Sequence, residues 1–253
     1  MSPTLAFLGE FREAIEFIFN SQESRAGGAQ IGGAENLPLL REHLKVTGAA
    51  MGIACAVSVP LGLWLGHIGK GGFLAINVSN VGRAVPSLAL IAFFVAYLGL
   101  GFLNLMVALV LLAIPPILTN AYVGVRQVDP DTVDAARGMG LSGTQVVRSV
   151  ELPLALPLIF GGIKTSTVNV IATATIAPLV GVLTLGDPII SGTVYGREGQ
   201  IGASIIVAAL AVAAELGLSA VQRSVTPKGV KLERDDATST RSRSLKRRIQ
   251  TAP

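Results

Sequence analysis

The stretch AVPSLALIAFFVAYLGLGFLNLMVALVLLAIPPILTNAYVGV, residues 84–125, contains no charged side chain. A membrane-spanning helix needs about 20 mostly apolar residues, because the bilayer core offers no water to satisfy a free backbone. The stretch is therefore too long for one span. The turn-forming sequence Leu98-Gly99-Leu100-Gly101 divides it. We place one span at 102–125 and another at about 76–98, with a break near Pro86.

Three further apolar segments are long enough to span a membrane: 46–66, 154–180 and 201–221. The composition agrees, with 51% hydrophobic and only 14% charged residues, against about 25% charged in a typical soluble domain. This excludes a disordered chain, a collagen and a disulfide-stapled secreted scaffold. The sequence predicts an all-α, polytopic membrane bundle of about five transmembrane helices.

The distribution of Lys and Arg predicts the orientation of the spans, because cytoplasmic loops retain basic residues. The formal net charge is +4, and most of the basic residues lie in three places: the 126–151 loop, Lys70 after the first span, and the tail at 226–253. We therefore expect the N-terminus outside, with this loop and the C-terminus in the cytoplasm. The polar tail is predicted to be disordered, and it either serves orientation alone or touches anionic membrane lipid. No nucleic-acid partner is expected.

The N-terminal region, 1–42, differs from the transmembrane domain, 43–225, in carrying charges among its apolar residues. Leu8, Phe11, Ile15 and Ile18 recur at helical spacing. That pattern is typical of a helix on a membrane surface, and equally of a helix docked on the rest of the protein. Residues 21–36 are polar and Gly-rich, and are predicted to be a linker.

The chain lacks the motifs of an enzyme. The two histidines, His43 and His67, lie at opposite ends of the first span, so no zinc spacing exists. No nucleophile–base set and no complete phosphate-binding loop can be assembled. We expect no metal, no bound cofactor and no ATPase site. If this chain works in a pump, another subunit must hydrolyse the ATP.

The loop between the third and fourth spans, with the sequence DPDTVDAARGMGLSGTQVVRSVELP at 129–153, carries the most information. Asp131 can cap a short helix, and Gly140 permits a sharp bend. A second short helix fits 144–150, with Pro153 beginning the next span. The residues alone thus predict two short helices joined at a glycine elbow, and an ordinary connection remains the alternative.

This loop resembles the EAA loop of ABC importer permeases, whose pattern is Glu-Ala-Ala, three residues, Gly, nine residues, Ile, one residue, Leu-Pro. The spacing is complete here, with Asp134 in place of Glu and Val150 in place of Ile. The resemblance implies that segment 126–153 is a coupling loop that docks in a cleft of a separate cytoplasmic ATPase subunit. The implied coupling residues are Asp134, Ala135, Ala136, Gly140, Leu141, Val150, Leu152 and Pro153.

A narrower resemblance connects the chain with osmoprotectant permeases, on the segments His43-Leu44, RAVPSLAL at 83–90, PPILTNAY at 115–122, GMG at 138–140 and LPLALP at 152–157. It implies an importer of glycine betaine, choline, carnitine or proline in a prokaryotic cytoplasmic membrane. The implied partners are an extracytoplasmic substrate-binding protein and a second, identical or different, permease chain. The family's Gly-Ala-Gly-Gly-Leu-Gly run is GVLTLGD here, at 181–187.

That departure keeps open an importer for methionine or another small polar solute. A secondary transporter driven by an ion gradient is disfavoured, because the single five-span core shows no inverted repeat.

Three charges within or beside the spans are candidates for a role in the pathway: Arg83, Lys164 and Glu215. Ionisable residues at this depth usually face the bundle interior and pair. Lys164 and Glu215 fall at similar heights, which predicts either a pair that joins two spans or two side chains that reach separately to the cytoplasmic surface. A direct role in substrate binding is a third possibility. Arg83, beside the Pro86 break, is expected to position a neighbouring helix.

Overall fold

The computed structural model describes residues 3–73, 77, 82 and 84–226 of the chain. Its longer helices are α1 (Pro3–Phe19), α2 (Asn36–His67), α3 (Ser87–Leu98), α4 (Phe102–Arg126), α5 (Pro130–Gly138), α6 (Gly143–Val146), α7 (Leu152–Thr173), α8 (Gly186–Ile190) and α9 (Gly192–Val225). A π turn at Val147–Glu151 joins α6 to α7, and 3-10 turns occupy Gly33–Glu35 and Ala174–Val180. The predicted all-α membrane bundle is confirmed.

Four helical runs among the described residues are long and apolar enough to cross a membrane: Gly33–His67, Phe102–Arg126, Gly143–Val180 and Gly192–Val225. They correspond to four of the five predicted spans. The other, at about 76–98, contains α3, whose 12 residues extend only about 18 Å at 1.5 Å per residue. Pro86 precedes α3 in an extended conformation, as the expected break requires. Most of the residues before it, including Arg83, lie outside the described part of the chain.

Small residues hold the central helices α2, α4 and α7 close together. A Cβ added to Gly62 of α2 would lie 2.5 Å from the Ala121 Cβ of α4, and one on Gly66 would lie 2.6 Å from the Val125 Cβ. A Cβ on Gly162 of α7 would likewise lie 2.8 Å from the Asn120 Cβ. Membrane helices pack through such small residues, because lipid tails compete for larger apolar side chains. The core therefore depends on backbone-to-backbone proximity.

The proline pair Pro115-Pro116 interrupts the hydrogen-bond ladder of α4, and neighbouring helices supply donors beside it. The Ser166 hydroxyl of α7 donates to the Ala113 carbonyl at 2.9 Å, and the Ser58 hydroxyl of α2 donates to the Ile114 carbonyl at 3.4 Å. The carbonyls that Pro115 and Pro116 leave without a helical donor are those of Leu111 and Leu112, so the two serine bonds lie next to the break and do not replace the lost bonds. These bonds fix α2 and α7 against the middle of α4.

The N-terminal helix is docked, which decides between the two interpretations of its apolar residues. Ala14 and Phe17 are fully buried, while Phe11 and Ile15 remain largely exposed. A Cβ on Gly202 of α9 would lie 2.8 Å from the Phe17 ring, which also makes an edge contact with Tyr195. The buried face of α1 is thus centred on Ala14 and Phe17. This buried face differs from the predicted stripe of apolar residues, because the glycines of α9 leave space for the Phe17 ring.

The segment predicted to be a linker is ordered. Strands β1 (Ser21–Glu23) and β2 (Gln30–Gly32) pair antiparallel, and α2 begins at Asn36, so the predicted boundary at 42/43 falls inside a helix. Beside the hairpin, Arg25 donates to both carboxylate oxygens of Glu198, at 3.0 and 2.8 Å. The backbone breaks at Gly196, with φ 65°, and so presents Glu198 to the hairpin. Tertiary contacts with α9 therefore order a polar, glycine-rich sequence.

Candidate functional site

The first half of the segment 129–153 forms α5, and Asp129 caps it. The Asp129 side chain accepts a hydrogen bond from the Asp131 amide at 2.9 Å, with Pro130 at the first helical position. The prediction that Asp131 is the cap was therefore wrong. Proline favours the first turn of a helix and keeps the preceding residue extended, so the cap falls on Asp129.

The elbow after α5 lies where the sequence predicts it. Gly140 adopts a φ of 87°, its amide donates to the Arg137 carbonyl at 2.9 Å, and the Leu141 amide donates to the Ala136 carbonyl at 3.2 Å. These two bonds form a Schellman motif, in which glycine supplies the left-handed residue. A Cβ on Gly140 would meet no atom within 4 Å. The glycine is therefore required by the backbone angle and not by crowding.

The second half of the segment does not form a separate helix. The Ser142 amide donates to the Gln145 side chain at 2.8 Å at the start of α6, which continues through the π turn into α7. The prediction of a separate helix at 144–150, with a new span beginning at Pro153, was wrong. Pro153 has no N–H for the helical ladder, and the backbone widens into the π turn just before it instead of ending. The piece Gly143–Glu151 and α7 are consequently one continuous helical body.

The predicted coupling residues divide into an exposed and a buried set. Asp134, Ala135 and Gly140 are exposed, whereas Ala136 is only 3% exposed and packs inside the segment. Leu141, Val150, Leu152 and Pro153 are partly buried. Met139, which directly precedes Gly140 and was not predicted as a coupling residue, is also exposed, at 76%. We call Asp134, Ala135, Met139 and Gly140 the apical knob of the segment.

The same segment contains a buried acid that sequence reasoning also missed. Glu151, between the motif positions Val150 and Leu152, is 4% exposed. Its carboxylate oxygens lie 2.8 and 3.0 Å from Nδ1 of His67, the last residue of α2. Ionised carboxylates only accept hydrogen bonds, so Nδ1 is the donor. The available sequence signal was a glutamate in an otherwise apolar run next to the Leu-Pro pair.

The intramembrane charges are arranged differently from the predicted pair. Among the described residues, Lys164 forms no ion pair with Glu215; its Nζ donates to the Ser219 hydroxyl at 3.3 Å. Glu215, one turn earlier on α9, is exposed. Lys164 thus joins α7 to α9, but through a hydroxyl one turn beyond the expected carboxylate. Arg83 lies outside the described residues.

Comparisons with known proteins identify the family of the chain. Residues 58–228 match the family described as "Binding-protein-dependent transport system inner membrane component". The chain is 39% identical over 202 residues to the glycine betaine/carnitine/choline transport system permease protein OpuCB of Bacillus subtilis, covering 79% of this chain and 93% of that protein. It is 37% identical over 195 residues to the carnitine transport permease protein OpuCB of Listeria monocytogenes, covering 77% and 89%.

A similar fold is present in a solved structure, that of an inward-facing conformation of the MetNI methionine ABC transporter. The TM-score is 0.64 with 21% sequence identity, over 76% of this chain and 96% of that one. At this identity the likeness shows the shared fold alone.

Proposed function

Because the chain belongs to the family of binding-protein-dependent transport system inner membrane components, we propose that it is the permease subunit of an ATP-driven importer for quaternary-amine osmoprotectants. Glycine betaine, choline and carnitine are the expected substrates, with proline a further candidate. The observation that carries the proposal is the apical knob, which the Gly140 elbow joins to a helical body that continues into a membrane-spanning helix, together with relatives whose names give these solutes.

In the proposed mechanism, ATP closes two ATPase subunits on the cytoplasmic side, and each knob moves with the cleft that holds it. The movement crosses the Gly140 elbow to α6, and because α6, the π turn and α7 are continuous, it then passes to a membrane-spanning helix. A loaded binding protein then releases its solute into the opened pathway from the other side. A second permease chain, identical or different, completes the pathway. ATP is bound by the partner subunits, and this chain supplies no catalytic group.

The proposed orientation places the N-terminus outside and the coupling segment in the cytoplasm. It rests on the basic side chains of the 126–151 loop and the tail. Labelling tests it: Cys55, the free cysteine of the described chain, is replaced by alanine, and a new cysteine is introduced at Glu23 or at Thr132. In intact cells, an impermeant maleimide should label the first position and spare the second. The reverse pattern would overturn the orientation.

The substrate is tested with the complete importer in proteoliposomes. The permease is reconstituted with its ATPase and binding protein, and uptake of labelled glycine betaine, choline, carnitine, proline and methionine is measured with and without ATP inside. We expect ATP-dependent uptake of one or more of the first four. Uptake that persists without ATP contradicts the importer, and uptake of methionine alone contradicts the substrate class.

The role of the elbow is tested with Gly140→Pro. Proline fixes φ near −65° and cannot adopt the observed 87°, so the Schellman turn and the knob are lost while the spans remain intact. We expect membrane insertion to persist and uptake to be lost. Undiminished uptake would refute the role proposed for this segment.

A further inference from the structure

The buried contact between Glu151 and His67 joins parts of the chain that are 84 residues apart. Both side chains are shielded, with 19% of the His67 side chain and 5% of the Glu151 side chain exposed. The carboxylate belongs to the π turn that connects the coupling segment to α7. The imidazole belongs to the last residue of α2. Burial of a charged group is costly unless the group is paired, so this arrangement requires both partners.

The imidazole also touches the start of α6, in the second half of the coupling segment. A Cβ on Gly143 would lie 3.2 Å from His67 Nε2, so the ring packs against the first residue of α6 while its other nitrogen binds Glu151. Nδ1 of His67 therefore contacts Glu151, and Nε2 lies next to Gly143. These two residues are the ends of the helical piece Gly143–Glu151. A glycine at position 143 provides the space for this ring.

The location matters because α2 has no direct chain connection to the coupling segment. Movement of the segment reaches α7 through a continuous helix and α4 through the short connection 127–129. It can reach α2 only through packing and side-chain contacts. A charge-assisted hydrogen bond is directional and is stronger than a neutral one. It is suited to moving the end of α2 together with the segment.

We propose that His67 and Glu151 are positioning residues that tie the end of α2 to the coupling segment, so that α2 follows the segment when the ATPase subunits close. This inference rests on the proposed function, because it assigns the pair a part in the same coupling. The competing role is purely structural, in which the pair only neutralises a buried acid. The two roles differ in what happens when both partners are replaced together.

The experiment uses the reconstituted complex with His67→Phe, Glu151→Leu, and the double variant. The single variants leave a buried group without its partner, and the double variant removes both polar groups and fills the same space with apolar side chains. Replacement of a buried ion pair by apolar residues is commonly tolerated. The double variant should therefore assemble with the ATPase, as measured by co-purification.

We expect the assembled double variant to transport about tenfold less solute per ATP hydrolysed, a change within the usual range of coupling between sites. We also expect the exchanged variant, His67→Glu with Glu151→His, to recover part of the lost transport, because it restores the contact with the partners reversed. Transport per ATP equal to wild type in the double variant would overturn the proposal, since a structural pair predicts that result.

Two controls keep the outcomes distinct. Glu42→Gln removes an exposed ion-pair partner of Lys45 on the same helix, α2, and should leave transport per ATP unchanged. The wild-type complex tests the proposed function separately. Absence of ATP-dependent uptake in wild type contradicts the importer itself, whereas retained coupling in the double variant contradicts only the role of the pair.

Discussion

Glu151 and Glu198 lie at opposite ends of the membrane-spanning helices, and each carboxylate meets a basic side chain from a distant part of the chain. At one end, Glu151 binds His67 and both side chains are shielded. At the other, Glu198 binds Arg25, whose side chain remains 58% exposed. Each acid is presented by an irregular backbone: a π turn at Glu151 and the break at Gly196 before Glu198.

The difference lies in what each contact holds. His67 ends a spanning helix of the core, so its contact joins two bodies that must move together in the proposed mechanism. Arg25 belongs to the N-terminal hairpin region, which packs on the outside of α9 through α1. In the proposed mechanism, similar buried acids therefore serve coupling at one end and attachment at the other. Four predictions test this division.

The largest expected effect concerns the glycines that shape the two ends. Gly196 and Gly140 both have a positive φ, of 65° and 87°. A Cβ added to Gly196 would also lie 2.5 Å from the Glu198 carboxylate oxygens. A Cβ added to Gly140 would have no atom within 4 Å. Backbone strain plus displacement of the Arg25–Glu198 pair should cost Gly196→Ala about 3 kcal/mol of unfolding free energy. Strain alone should cost Gly140→Ala about 1 kcal/mol.

Thermal unfolding of the two variants in the same detergent measures this difference. The midpoint of Gly196→Ala should fall well below that of Gly140→Ala. Equal midpoints would mean that a Cβ added to Gly196 does not disturb the Arg25–Glu198 contact. The structural difference proposed between the two ends would then be contradicted.

The second prediction concerns the attachment itself. Arg25→Ala leaves Glu198 without its bidentate partner and should cost about 2 kcal/mol, the range for hydrogen bonds to charged groups. The exposure of Arg25 keeps this cost below that of a fully buried pair. Arg25→Lys keeps the charge but loses the fork of two parallel bonds, and should recover only part of the loss.

Denaturant unfolding of the two Arg25 variants, with limited proteolysis of the hairpin, measures this attachment. Transport per ATP should stay at the wild-type value. A loss of coupling in Arg25→Ala would show that the outer end takes part in transmission as well.

The glycine elbow of this segment could be predicted from the sequence because its decisive features are local, whereas the cap at Asp129 and the continuous helix after Ser142 were not predicted. The motif spacing and the glycine elbow involve neighbouring residues, and Gly140 closes its Schellman turn within a few positions. The contacts that hold the two ends are not local: they join residues 84 and 173 positions apart. Hydrophobic periodicity reports which face of a helix is buried, but it does not report which distant polar group a buried acid meets.

The same limit explains the errors at Lys164 and at residues 21–36. Helix rise placed Lys164 and Glu215 at similar heights, but the rotation of α9 presents Ser219 to Lys164 and leaves Glu215 exposed. The glycine-rich segment is typical of a linker by composition, yet the Arg25 amide and the Ser24 hydroxyl both donate to the Val194 carbonyl. In both cases the relative placement of two helices decides the outcome.

The third prediction separates binding from stability at the apical knob. Met139 and Phe19 are almost equally exposed, at 76% and 75%, and lie at the two different ends. Met139→Ser should weaken ATPase binding about tenfold, as expected for an apolar anchor at an interface, with no change in the unfolding midpoint. Phe19→Ser is the matched control and should leave ATPase binding unchanged. Equal effects of the two substitutions would contradict the assignment of the knob as the docking surface.

The smallest expected effect is that of breaking the more exposed Lys45–Glu42 ion pair. It serves as a reference for the contacts of Glu151 and Glu198. Lys45 lies 3.1 Å from the Glu42 carboxylate, with side chains 63% and 32% exposed, and it also stands 5.6 Å from the centre of the Phe102 ring. Glu42→Gln should change the unfolding free energy by less than about 0.5 kcal/mol, because exposed ion pairs are screened and lose side-chain entropy. Chemical unfolding measures it. If Glu42→Gln lost as much unfolding free energy as Arg25→Ala, burial from solvent would not account for a difference in strength between these contacts. The special cost assigned to the buried acids would then have to come from the irregular backbone that presents them.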